Sequence, residues 1–97
     1  MYELRFHPQV DKELETLPKT VRAVVKNLCF PKIAHSPWDA GKSLSGALKK
    51  FHVFVFSHKR VSYRIAYEID KKSQVVFILM VGKREGFYER LRRRLLR

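Results

Sequence analysis

Three extended apolar runs follow one another between Phe51 and Val81 with only short polar breaks, a pattern that predicts three consecutive strands folded as a meander. In the first run Phe51, Val53 and Val55 oppose His52, Phe54 and Phe56. Both sides are largely apolar, which predicts a strand covered on both faces. In the second, Val61, Tyr63, Ile65, Tyr67 and Ile69 form one face, while Ser62, Arg64, Ala66, Glu68 and Asp70 form the other. Asp70 to Ser73 is a polar turn, and the run from Val75 to Val81 is the most apolar, which predicts a central strand. It is far shorter than the ~20 residues a membrane-spanning helix needs, so it reads as buried sheet and no membrane partner is expected.

The flanks read as helix and one more strand. Tyr2, Leu4 and Phe6 alternate with Glu3 and Arg5, the period-two signature of a half-buried strand that Pro8 stops. Val10, Leu14 and Leu17 then fall on one side of a first helix. Val21, Val24, Val25, Leu28 and Cys29 do the same on a second, whose outer face carries Lys19, Arg22 and Lys26. Pro8 and Pro18 suit first helical turns, where a missing amide hydrogen costs nothing. His35-Ser36-Pro37-Trp38 predicts a short capped helical turn leading into a polar connector from Gly41 to Gly46. After Gly82, Phe87, Leu91 and Leu95 recur every four positions, giving a final helix whose other faces carry Arg90, Arg92, Arg93, Arg94 and Arg97. The fold class is therefore α+β with the order β-α-α-β-β-β-α: a helical hairpin on a mainly antiparallel sheet, closed by a C-terminal helix. At 97 residues this is one domain spanning 1–97.

Composition narrows the function. The single Cys29 excludes an intramolecular disulfide and a cysteine zinc cage, and its place on the apolar face of the second helix marks it as a buried small residue. The N-terminus has no apolar signal core, so the cytoplasm is the expected compartment. The net charge of +12, from 21 Lys and Arg against 9 Asp and Glu, points to a polyanionic partner. Seven of those cations, Lys83, Arg84, Arg90, Arg92, Arg93, Arg94 and Arg97, fall in the last fifteen residues. Gly41-Lys42-Ser43 is not a phosphate-binding loop, because Ser36 stands where the motif requires its first glycine. The histidines His7, His35, His52 and His58 lie on separate segments with no metal-binding spacing, and no metal or other cofactor is expected.

One constellation carries chemistry. Arg64 stands on the polar face of its strand, either as an ordinary surface residue paired with Glu68 or as a functional cation. If its strand and the next pair as a hairpin, Arg64 and Arg84 come close on the open face of the sheet. Two cations held together call for an anion between them, such as a phosphate. Tyr88, at the start of the last helix, either shields the core edge or stacks on a base or supplies a proton.

At these residues the chain resembles the RelE-like toxins of the RelE/ParE toxin–antitoxin superfamily. Leu44-Ser45-Gly46, Tyr63-Arg64-Ile65-Ala66-Tyr67 and Val81-Gly82-Lys83-Arg84-Glu85 with Tyr88 are similar to that family's landmarks, and the order of elements agrees over nearly the whole chain. The resemblance implies a type II toxin that cleaves mRNA without metal, usually in the ribosomal 30S A site, by 2′-hydroxyl attack giving a 2′,3′-cyclic phosphate. It implies a cognate antitoxin as partner in a hetero-oligomeric complex. It makes Arg64 the transition-state arginine, Arg84 the second catalytic arginine and Tyr88 the base-stacking tyrosine.

The strand from Phe51 departs from the family pattern, which places two lysines there at alternate positions. His52 and Phe54 stand in their place, and His52 has the better intrinsic pKa for a general base. Phe87 occupies the position where other relatives carry a histidine before the tyrosine. Lys49, Lys50, His58, Lys59, Arg60, Lys83 and Arg90 are the expected RNA-binding set around the site. The alternatives are a toxin of the ParE branch, which poisons DNA gyrase, and a non-catalytic basic RNA binder.

Overall fold

The structure is a computed structural model that describes residues 1–96. Arg97, counted above among the cations of the last helix, lies outside the described residues. The chain runs β1 (Glu3–Phe6), α1 (Val10–Thr16), α2 (Lys19–Val24), α3 (Phe30–His35), α4 (Pro37–Ala40), β2 (Lys42–Ser43), β3 (Phe51–His58), β4 (Val61–Asp70), β5 (Val75–Lys83) and α5 (Phe87–Leu95). The expected α+β order holds, with α4 as the helical turn before the connector, although the Ser36 side chain makes no capping bond to it. Within that connector the sequence did not signal β2, because two residues are too few to show a period.

The five strands lie in the order β1-β5-β4-β3-β2. The meander β3–β4–β5 is antiparallel, while β1 runs parallel to β5. The apolar strand β5 is interior as its composition requires, but β4 holds the middle place. Between Ala66 and Tyr67 the β4–β5 register slips: Ala66 faces Met80 and Tyr67 faces Ile78. The extra residue on β5, Leu79, breaks the alternation. Ile78 and Val81 consequently join the core under the helices, while Leu79 and Met80 join the core under α5.

Both faces of the sheet are covered, each by its own helices. Val10, Leu14, Val21, Val25, Cys29 and Ile33 pack on Tyr63, Ile65, Tyr67 and Ile78, and Phe87 and Leu91 of α5 pack on Val53, Ala66 and Met80 of the other face. Cys29 is buried as expected, and that burial pushes its thiol pKa up to about 11. Pro31, with no amide hydrogen to donate, follows a widened turn over Val25–Cys29 in which the Phe30 amide donates to the Val25 carbonyl. This lets α2 and α3 run on as one bent helix. The β2 connector comes in tightly against the sheet: a Cβ at Gly41 would lie 2.6 Å from the Tyr67 hydroxyl and 2.7 Å from the Val53 carbonyl oxygen. The Tyr67 hydroxyl is buried and donates to the Pro37 carbonyl at 2.8 Å.

One edge of β5 is completed by side chains. Pairing with β1 ends at Ile78, whose carbonyl accepts from the His7 amide. Beyond that point Arg94 of α5 donates to the Leu79 carbonyl at 2.8 Å, and the Glu13 carboxylate of α1 accepts from the Val81 amide at 3.0 Å. Arg94 and Glu13 also bond each other at 2.8 Å, with side chains about 19% and 20% exposed. Removing either partner strands a half-buried charge and an edge backbone group, so Arg94→Ala and Glu13→Ala should each cost about 2 kcal/mol. The double variant should lose less than the sum of the singles in urea unfolding, and additivity would show that the two side chains do not act together.

Candidate functional site

Where burial ends on the α5 side of the sheet, the proposed chemistry begins. Phe51 to Phe54 are buried, so only that half of β3 is covered on both faces; Val55 is 53% exposed. Val55 is the cross-strand partner of Arg64, and Gly82 is the partner of Arg64 on the other side. Arg64 therefore rises from the middle of the sheet onto an open patch beside the start of α5. It does not pair with Glu68, whose carboxylate lies 4.0 Å from Lys50. Instead its Nε donates to the Tyr88 hydroxyl at 3.2 Å and its Nη1 to Ser62 Oγ at 3.3 Å, with the guanidinium 5.7 Å from the Tyr88 ring centroid. Tyr88 orients Arg64, and Arg64 keeps the tyrosine, itself 39% exposed, at the edge of the patch.

Arg84 follows directly on β5. Its amide donates to the Ser62 carbonyl at 3.0 Å, extending the ladder by one bond, so it stands diagonal to Arg64 across the strand pair. The chain then turns through Gly86, left-handed at φ 66°, into α5. Arg90 folds back over this turn: its Nη1 donates to the Glu85 carbonyl at 2.7 Å, and its guanidinium would lie 3.0 Å from a Cβ at Gly82. Both glycines leave room for a cation, and Arg90 comes to lie over the cross-strand partner of Arg64.

The β3–β4 turn lies at the same end of the sheet, because His58 pairs with Val61. Its central residues, Lys59 and Arg60, both have left-handed backbones at φ 50° and 69°. Such two-residue turns usually carry Asn-Gly, so the chain accepts local strain to hold two cations at the tip.

Arg64, Arg84, Tyr88 and Arg90 are thus gathered at one end of the sheet, with Lys59 and Arg60 at the adjoining tip; Lys83 and His58 lie at the same end but, paired with Tyr63 and Val61, on the opposite face. Lys49 and Lys50 are not at that end. They precede Phe51 at the opposite end of β3, about 15 Å or more along the strand from the Val55–Arg64 pair. His52 is also misplaced for catalysis. Alternation turns it to the face opposite Arg64, where it is 9% exposed, stacks on Tyr67 at 5.6 Å and meets Trp38 edge-on at 5.7 Å. The expectation of His52 as general base is corrected by that placement. The β3 positions on the Arg64 face are Phe51, Val53, Val55 and Ser57, none of them a base of ordinary strength near neutral pH. Two contributors escaped the sequence reading: Ser62, masked as one more polar residue of an alternating strand, and Lys42, brought onto the Arg64 face by pairing β2 with Val53.

Known proteins share the sequence pattern and the fold. Residues 4–92 match the family described as ParE-like toxin of type II bacterial toxin-antitoxin system. Toxin RelG of Mycobacterium tuberculosis is 33% identical over 89 residues, spanning 92% of this chain and 98% of the relative. Among solved structures, the toxin–antitoxin complex RelBE2 of Mycobacterium tuberculosis matches with a TM-score of 0.76 and 29% identity, covering 86% of this chain and 98% of that one. The intact RelBE toxin–antitoxin complex of E. coli matches at 0.70 and 28%, covering 88% and 99%.

The placement of His52 makes a pH prediction. Burial lowers its pKa below the usual 6.5, so as the pH falls the unfolded chain takes up this proton before the folded one. The stability contributed by the neutral ring is present above pH 6.5 and is lost as the pH falls towards the folded-state value. Urea midpoints of the wild type should drop across that window more steeply than those of His52→Phe; parallel curves would show that the ring is not held neutral by burial.

Proposed function

The chain belongs to the ParE-like toxins of type II bacterial toxin–antitoxin systems and, within that superfamily, is a RelE-like toxin; from this premise we propose that it is a metal-independent mRNA endonuclease acting in the ribosomal A site and silenced by a cognate antitoxin. The observation that carries the reading is the Arg64–Tyr88 pair beside Arg84 on the open end of the sheet. In this reaction the ribose 2′-oxygen attacks the adjacent phosphorus and the bond to the 5′-oxygen breaks. The products are a 2′,3′-cyclic phosphate and a 5′-hydroxyl. Arg64 and Arg84 balance the negative charge that builds on the phosphorane oxygens. The 2′-hydroxyl loses its proton and the leaving 5′-oxygen gains one. Tyr88, whose hydroxyl oxygen accepts from Arg64, exchanges protons with the reacting oxygens in this reading, which its hydrogen bond to the arginine supports.

The remaining cations suit a grasp of the RNA backbone. His58, Lys59 and Arg60 at the turn, Arg90 beside the arginines and Lys83 on the reverse face border the same end of the sheet. An acidic antitoxin segment would complement the +12 surface. The ParE-type alternative, gyrase poisoning, is disfavoured because a toxin that only binds protein has no evident use for two arginines and a tyrosine around one phosphate-sized spot.

Arg64→Ala or Arg84→Ala should lower the rate of ribosome-associated mRNA cleavage by about 10²-fold or more while leaving thermal unfolding unchanged. Near-wild-type rates in both variants would remove the pair from the reaction. The turn gives an independent test. Replacing Lys59-Arg60 by Asn-Gly should raise stability by about 1–2 kcal/mol through relief of the left-handed backbones. It should also weaken RNA binding, flattening the dependence of log affinity on log salt by about 1.4 for two lost phosphate contacts. A stabilised variant with an unaltered salt slope would place the RNA elsewhere.

A further inference from the structure

Gly82 has no conformational reason to be glycine. It is paired strand backbone opposite Arg64, and its φ lies outside the left-handed region that excludes other residues. A Cβ there would project on the Arg64 face and meet the Arg90 Nη2 at 3.0 Å, which is too tight, and the Phe87 ring at 3.7 Å, which is ordinary contact. The missing side chain therefore makes room for the Arg90 guanidinium. That group is fixed from α5: the Arg90 amide donates to the Gly86 carbonyl at 3.1 Å and Nη1 to the Glu85 carbonyl at 2.7 Å. Nη2 has no acceptor among the described residues. The guanidinium thus fills, from outside the strand, the place a β5 side chain would take opposite Arg64. Arg84 holds the next place on the same face, about 7 Å along the strand. None of the three arginines forms an ion pair among the described residues, and cations grouped in this way call for an anion between them.

We propose that Arg90 is a third catalytic arginine: its Nη2 donates to a non-bridging oxygen of the scissile phosphate held between Arg64 and Arg84, and position 82 is glycine to admit it. The inference rests on the RNA-cleavage reading of those two arginines and adds a residue to it. As the 2′-oxygen attacks, negative charge gathers on the two non-bridging oxygens, and a donor already aimed at them needs no reorganisation at that moment. Arg90 meets that condition because the Glu85 carbonyl holds Nη1 and leaves Nη2 over Gly82. An arginine grown from β5 at position 82 would lack that second anchor. Arg90 therefore acts on the reacting group, beyond a general attraction for the RNA backbone.

The test measures single-turnover cleavage of a short mRNA carrying the mapped cut site on programmed ribosomes, with affinity read separately on a 2′-deoxy, uncleavable copy. Gly82→Ala keeps every charge and moves only the end of a flexible side chain, by a few tenths of an ångström. It should slow the cut about tenfold, and Arg90→Gln about 10²-fold, with affinity falling far less and thermal unfolding close to wild type. The double variant should be no slower than Arg90→Gln, because without the guanidinium the methyl group displaces nothing. Sulfur in place of one non-bridging oxygen at the cut site should slow the wild type, and that penalty should disappear in Arg90→Gln, which a merely structural role would not produce. Wild-type rates in both single variants, additive losses in the double variant, or a sulfur penalty unchanged in Arg90→Gln overturns the assignment, while cleavage by the wild type leaves the reading of Arg64 and Arg84 standing. An mRNA left uncut by the wild type overturns both.

Discussion

The structure depends on how the edge of β5 is finished. β1 reaches only to Ile78, and the Arg94–Glu13 pair takes over from there, one side chain bonding the Leu79 carbonyl and the other the Val81 amide. Backbone groups left unpaired at a covered edge are costly. The pair that satisfies them comes from the first and last helices, and so ties both to the strand between them. Its functional weight follows from what α5 carries. Phe87 and Leu91 press the helix onto the sheet, and Tyr88 and Arg90, on the same element, are thereby held over Arg64 and Gly82. The side chains at the open end of the sheet are positioned by an ion pair at its side.

The same organisation separates two uses of charge. A few cations are fixed by geometry: Arg64 by Tyr88 and Ser62, Arg90 by the Glu85 carbonyl, Arg94 by its edge contacts. Arg94 thus belongs to the architecture, although the sequence groups it with the cations of the last helix. Others are held at a conformational cost, as at the Lys59-Arg60 turn. The apolar Val53 and Val55 interrupt this basic surface on the Arg64 face, and His52 and Phe54, at the positions where the family pattern has lysines, point to the other face. The proposed cleavage therefore leans on the arginines and Tyr88, because the side chains that β3 presents on the Arg64 face include no amine or imidazole.

The alternation of β3 and β4 made most of the fold legible in the sequence, together with the four-residue repeat in α5, and Arg64, Arg84 and Tyr88 stood out as neighbours once β4 and β5 were paired. What stayed hidden depended on register. His52 read as a base because residue type is visible and facing direction is not: a strand apolar on both sides gives no sign of which side meets Arg64. The slip at Leu79 is equally silent, since every residue of β5 around it is apolar. Lys49 and Lys50 looked close to the site in sequence but are a strand's length from it in space. Lys42 was missed because a two-residue edge strand leaves no pattern.

RNA cleavage at the end of the sheet where Arg64, Arg84 and Tyr88 meet is the central proposal. The most direct measurement is to map mRNA 5′ ends, with their end chemistry, in cells expressing the chain with and without the product of its genomic neighbour. The account predicts codon-phased cuts bearing 5′-hydroxyl ends that vanish when the neighbour is co-expressed. Intact mRNA in poisoned cells, accompanied by loss of gyrase supercoiling, would contradict it.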